Sequence, residues 1–185
     1  MTKRIQFRTL LRTKSTAPLL LWPVILLCSC TTNPQNRPSP LRTEYGEIGT
    51  GNVEVTFSSP AVRERQIFGT GEDFLEPFGE LWRTGANKAT SIYFDHDVVI
   101  ANTLIDSGTY SIFTIPADKE WTFIINKNWD QWGEFDYQES LDVLRTSVDV
   151  KLLEVPKERM RLYIENEELR FEWEYTAWSI PISLP

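Results

Sequence analysis

The chain has 185 residues, 19 Lys and Arg against 26 Asp and Glu, one His and two Cys. That length suits one domain plus an appendage. Hydrophobic residues make up 41% and aromatics 12%, which excludes wholesale disorder, and the net charge of −7 argues against nucleic-acid binding. The charge is also unevenly spread. Lys3, Arg4, Arg8, Arg12 and Lys14 put five positive charges into the first 29 residues without one acid, leaving a balance of −12 for the remainder.

After this basic segment come eleven apolar residues, 17–27, and then Cys28-Ser29-Cys30. A membrane-spanning helix needs roughly 20 apolar residues, and this run is interrupted by Pro18 and Pro23, so it is the h-region of a secretory signal. Leu27-Cys28-Ser29-Cys30 is similar to the bacterial lipobox, in which a small residue precedes the lipidated Cys. Ser29 qualifies Cys30, whereas Leu27 disqualifies Cys28.

The expected organisation is therefore a lipoprotein signal peptide over 1–29, a lipidated Cys30 with a Pro-rich tether over 30–44, and a domain over 45–185. Cleavage discards Cys28, so no internal disulfide and no Cys-based metal site is expected. The address predicted is the bacterial cell envelope, lipid-anchored, with the outer membrane favoured over the inner.

From about Gly46 the hydrophobic period is two. Val53, Val55 and Phe57 alternate with Glu54, Thr56 and Ser58, as in a strand with one buried face. Further β-rich runs are 91–94, 98–101, 110–115, 121–126, 147–152, 159–165 and 178–182. In 168–175, Leu169, Phe171, Trp173 and Tyr175 alternate with charged residues, predicting that Phe171, Trp173 and Tyr175 enter the core. Asp95-His96-Asp97, Asp106-Ser107-Gly108 and 116–119 are the turn signals. Helical turns are expected at most over 138–144 and 72–82. The pattern predicts an all-β fold: a single antiparallel β-sandwich, jelly-roll-like, of about nine short strands.

Catalytic templates are absent: no G-x-S-x-G elbow, no phosphate-binding Gly loop, no H-E-x-x-H. Asp95-His96-Asp97 has no second His to complete a transition-metal set and is expected to be a solvated hairpin tip, so neither a metal nor a cofactor is expected. In 81–90, Trp82, Arg83 and Asn87 combine a stacking ring, a planar fork donor and an amide, material for a carboxylate or a sugar. The alternative is internal: Arg83 clamping Glu80 or Glu54, and Asn87 capping a loop. In 126–133, Trp129 and Trp132 stand among Asn, Asp and Gln, the composition of sugar-binding surfaces, or else Trp132 plugs one end of the sandwich. Paired carboxylates of a hydrolase cannot be recognised from one-dimensional spacing.

Several segments carry a family resemblance: 59–69 (SPAVRERQIFG), 77–90 (PFGELWRTGANKAT), 108–116 (GTYSIFTIP), Glu120-Trp121-Thr122 and Asp130-Gln131-Trp132-Gly133. In this order over about residues 45–185 the chain resembles domain of unknown function 2911, found mainly in exported proteins and lipoproteins of Bacteroidetes-type bacteria. The resemblance implies an exported β-rich domain, without an established reaction or catalytic residues. One departure is Val62-Arg63-Glu64-Arg65-Gln66, where the family usually reads V-K-G-R-K; Glu64 in place of Gly argues against a positive-φ turn there. Arg65, Trp82, Arg83, Asn87 and Trp132 fall in the matched segments, and with Trp129 they are the expected ligand-binding residues. The functional expectation is a membrane-anchored, non-catalytic ligand-binding module of the envelope, with a glycan as one candidate ligand. The alternatives are a structural or assembly lipoprotein contacting an envelope protein, and a carboxylate-dependent hydrolase.

Overall fold

A computed structural model describes residues 38–185. The signal peptide, Cys30 and the tether up to residue 37 lie outside the described residues. Twelve strands follow one another: β1 Leu41–Ile48, β2 Gly51–Ser58, β3 Phe68–Gly69, β4 Glu76–Pro77, β5 Thr90–Phe94, β6 Val98–Ile100, β7 Thr103–Ile105, β8 Gly108–Ile115, β9 Glu120–Asn126, β10 Asp142–Asp149, β11 Lys151–Glu165 and β12 Glu168–Ser183. Among the described residues the helical element is the single 3-10 turn Glu139–Leu141, and no helix is long and apolar enough to cross a membrane.

The strands form an antiparallel six-stranded sheet, β1-β2-β5-β8-β9-β10, and an antiparallel four-stranded sheet, β11-β12-β6-β7, with β3 and β4 as a short parallel pair. Their facing sides share one core. From the larger sheet come Val55, Ile92, Ile112, Trp121 and Phe123, and from the smaller Leu162, Leu169, Phe171, Trp173 and Trp178, all essentially inaccessible to solvent. The rings meet in aromatic geometries: Trp82 stacks on Trp173 at 5.8 Å, Phe171 on Trp178 at 5.1 Å, and Phe68 sets its edge on Trp121 at 4.7 Å. This is the expected all-β antiparallel sandwich.

Three differences from the sequence expectation have physical causes. Leu41 to Glu44, expected in the tether, are the first half of β1 and pair with Ser58 to Val55, so the folded domain starts earlier than residue 45. Segment 72–82 is not helical. Pro77 lacks the amide donor a helix needs, Gly79 sits at φ 87°, and the chain instead lays Glu76–Pro77 beside Phe68–Gly69.

The third concerns Tyr175, which is exposed, not buried. Glu174 has φ 52°, and the β11–β12 ladder slips between Lys157↔Glu174 and Leu152↔Thr176. A residue in this conformation breaks the two-residue period. Before it the odd positions Leu169, Phe171 and Trp173 are buried. After it the even positions Trp178, Ile180 and Ile182 are.

β1 is pressed against β11 so closely that a Cβ on Gly46 would lie 2.3 Å from Cβ of Ile164. Gly46→Ala is expected to cost about 1–3 kcal/mol by forcing the two strands apart. A lowered urea midpoint at unchanged m-value would show it; an unchanged midpoint would contradict this packing.

Candidate functional site

The larger sheet also buries part of its outer face. On β8 and β9, Phe113 and Ile124 point away from the main core and form a second apolar cluster with Ala89, packed by Leu81, Ile115 and Tyr137. The cover is made by two loops, residues 84–89 and 127–141. Together they hold Asn87, Trp129 and Trp132, and Arg83 stands at the entry to the first.

The first loop is an excursion from a strand line. Trp82 N donates to Thr114 O at 2.8 Å and Thr114 N to Trp82 O at 2.9 Å, so the chain runs beside β8 before it bulges away, and Thr90 N returns to Arg83 O at 3.2 Å. Inside the bulge Thr84 has φ 52° and Asn87 φ 65°. For a β-branched residue this conformation is strained. Thr84 is fully buried and over-determined: its carbonyl accepts from Thr90 Oγ1 at 2.7 Å, and its hydroxyl lies 3.1 Å from that of Thr114.

The second loop is pinned at both ends. Buried Asn126 donates to Asp142 Oδ1 at 2.7 Å and to Gln138 O at 2.9 Å, and accepts from Asn128 N at 2.9 Å. Tyr137 donates to Asp142 Oδ2 at 2.7 Å, and Arg145 reaches the same oxygen at 3.0 Å. Burial, reinforced by Asp142, pushes the Tyr137 phenol up to about 12. Between the loops run Ala89 N to Gln131 O (3.1 Å), Gly133 N to Asn87 O (3.0 Å), a Lys88–Asp130 ion pair and Arg83 Nη1 to Glu134 Oε2 at 2.9 Å.

On this frame Trp129, Trp132 and Phe135 stand 48%, 54% and 81% exposed. Large apolar rings usually bury, so three held outward by a braced loop make this the candidate surface. Beside them Arg83 lines a cleft of about 240 Å³ with Leu75, Glu76, Pro77, Glu80, Leu81, Trp82 and Glu134. Burial raises Glu76 to about 8; Arg83 and Arg65 oppose the rise, and Glu134 and Glu80 add to it. The cleft thus favours the protonated form of one carboxyl group among other carboxyl groups and a guanidinium, an arrangement suited to proton donation and acceptance.

A family model described as Protein of unknown function (DUF2911) matches residues 39–182. The chain belongs to that family. Neither a curated protein nor a solved structure matches it. The DUF2911 match runs from just before β1 to one residue short of the end of β12, and so takes in both loops and the cleft.

The sequence-derived candidates in this DUF2911 domain separate into three groups. Asn87, Trp129 and Trp132 lie on the two loops, and Arg83, at the base of the first, joins them through Glu134. Trp82 is a correction: it is buried in the main core with its indole N–H donating to Gly85 O at 3.0 Å, so its ring is not available to a ligand. Arg65 is exposed, and its guanidinium donates to Ala61 O at 2.6 Å and Val62 O at 3.1 Å, bracing its own turn. That turn is a second correction, because Arg63 (φ 48°) and Glu64 (φ 59°) do adopt the left-handed conformation without glycine. Arg83 clamps Glu134, and not Glu80 or Glu54.

Phe135 and Glu76 were not singled out from the sequence. Phe135 follows Trp132 closely in a polar stretch, and the same composition signal extends to it. Glu76 had no local signal, because its burial comes from loops distant in the chain. Asp95-His96-Asp97 lies between β5 and β6. Asp95 is held well below the usual carboxylate range, to about 2, first by His96 and then by Asn52. A wider groove of about 480 Å³ lies between β10 and β12, lined by Ser147, Lys151, Ser179 and neighbours, without aromatic rings.

Proposed function

We propose that this DUF2911 domain is a ligand-binding module of the bacterial cell envelope, anchored by lipid on Cys30, that takes a glycan on Trp129, Trp132 and Phe135. The observation that carries it is the outward display of three rings on a loop locked at both ends. A pre-ordered surface loses little entropy on binding, and pyranose faces stack on aromatic rings while Asn87 and its neighbours offer polar partners. Trp132→Ala is expected to weaken binding of soluble polysaccharides at least tenfold in calorimetry while Tm stays unchanged. Equal affinity of the variant and the parent overturns the assignment. The anchor is tested separately: Cys30→Ala is expected to abolish palmitate labelling in cells.

The cleft supports a second reading, a carboxylate-dependent hydrolase with Glu76 as proton donor. Its observation is the set of Glu76, Glu80 and Glu134 lining one opening beside Arg83. Hydrolysis of a bound polysaccharide that Glu76→Gln removes without weakening binding would favour it over the binding module.

A further inference from the structure

Resting on the glycan-binding reading above, we infer that the aromatic surface selects glycans that carry free amines over their uncharged counterparts, and rejects anionic ones. Two cations at the contact between the loops are already engaged within the protein. Arg83 is held by Glu134 at 2.9 Å, and Lys88 is paired with Asp130. A guanidinium committed to a neighbouring carboxylate is a poor fork for a carboxylate or sulfate on a ligand.

The exposed acids around the rings are in the opposite condition. Asp136 follows Phe135 directly, Glu139 stands on the 3-10 turn of the same loop, and Glu80 lines the neighbouring cleft. All three are solvent-exposed, and among the described residues none is in an ion pair. Lys127 is the exposed cation of this loop. Rings in a rim of unengaged carboxylates complement a sugar that offers a stacking face and an ammonium group together. They repel a uronate or sulfated sugar. Arg83 and Lys88, across the contact between the loops, add no unengaged charge, and among the described residues of these loops Lys127 alone stands against the three acids.

The test uses the full chain in detergent with three soluble probes at mildly acidic pH and low salt. These are glucosamine oligomers, the same oligomers N-acetylated, and oligogalacturonate. Acetylation removes the charge and keeps the backbone. The glucosamine oligomer is expected to bind about tenfold tighter than its acetylated form, with the gap closing in high salt as screening shortens to a few ångströms. Oligogalacturonate is expected not to bind. The double variant Asp136→Asn, Glu139→Gln is expected to close the gap without changing affinity for the acetylated oligomer, whereas Trp132→Ala weakens both. Equal or tighter binding of the acetylated or anionic probe overturns the selectivity and leaves the aromatic surface standing. Absence of binding by all three overturns the aromatic surface itself and the selectivity with it.

Discussion

Trp173→Glu is expected to leave no cooperative unfolding transition, whereas Tyr175→Glu, two positions along the same strand, is expected to change stability by no more than about 0.5 kcal/mol. Trp173 is fully buried, stacked on Trp82 at 5.8 Å and set edge-on to Phe68 at 5.7 Å. Truncating a buried Trp costs about 3–5 kcal/mol. Placing a carboxylate there adds the penalty of an unpaired buried charge, and the sum rivals the whole stability of a small domain, about 5–15 kcal/mol. Tyr175 lies past the irregularity at Glu174 and is 51% exposed, so a charge there meets water. Urea denaturation of both variants, followed by circular dichroism, decides the matter. Comparable losses would mean that the period of two runs unbroken through 175 and that the phase change at Glu174 is wrong.

That pair of residues also marks how far the fold was legible in the sequence. Alternation read Val53 to Phe57 of β2 and the first half of β12 correctly, because each has one wetter and one dry face, whereas Ser58, expected on the wet face, is buried. It could not reveal the shift at Glu174, since nothing in Trp173-Glu174-Tyr175 distinguishes a continuous strand from a kinked one; the ladder with β11 imposes the kink. On β8 and β9 alternation is weak for a different reason. Ile112 and Phe113, like Phe123 and Ile124, are buried on opposite faces, because the loops over the outer face supply a second apolar layer. Leu41 to Glu44 looked like tether because their strand is polar and gains its order from pairing with β2.

The site divides along the same line. Trp129 and Trp132 could be found from their own neighbours, since polar residues around a Trp are a local signal. Trp82 has similar neighbours but lies inward, because the bonds between Trp82 and Thr114 keep it in line with β8. The partner of Arg83 stands 51 positions away, a distance at which only the closure of two loops decides which carboxylate it meets.

Glu76 gives the second large effect, and its sign follows from its burial. Its carboxyl is raised from the usual 4.5 to about 8 in the folded protein, so between those pH values the native state holds a proton that the unfolded chain has released. The native state therefore binds more protons, and stability falls as pH rises through the window from about 4.5 to 8; outside the window this group contributes no slope. A full shift of this size would be worth several kcal/mol, and water at the open cleft reduces it to the order of 2 kcal/mol. Glu76→Gln keeps the shape and removes the titration. The variant is expected to match the parent near pH 4.5 and to exceed it by about 2 kcal/mol above pH 8. The difference between the two urea series cancels groups such as Asp95 that titrate elsewhere. Parallel curves from pH 4.5 to 9 would show that Glu76 ionises freely and that the cleft is wetter than its geometry implies. A difference still rising above pH 7 would establish a carboxylic acid protonated at neutral pH in the cleft with Arg83 and Glu134, the condition on which any proton-donating role of this cleft depends.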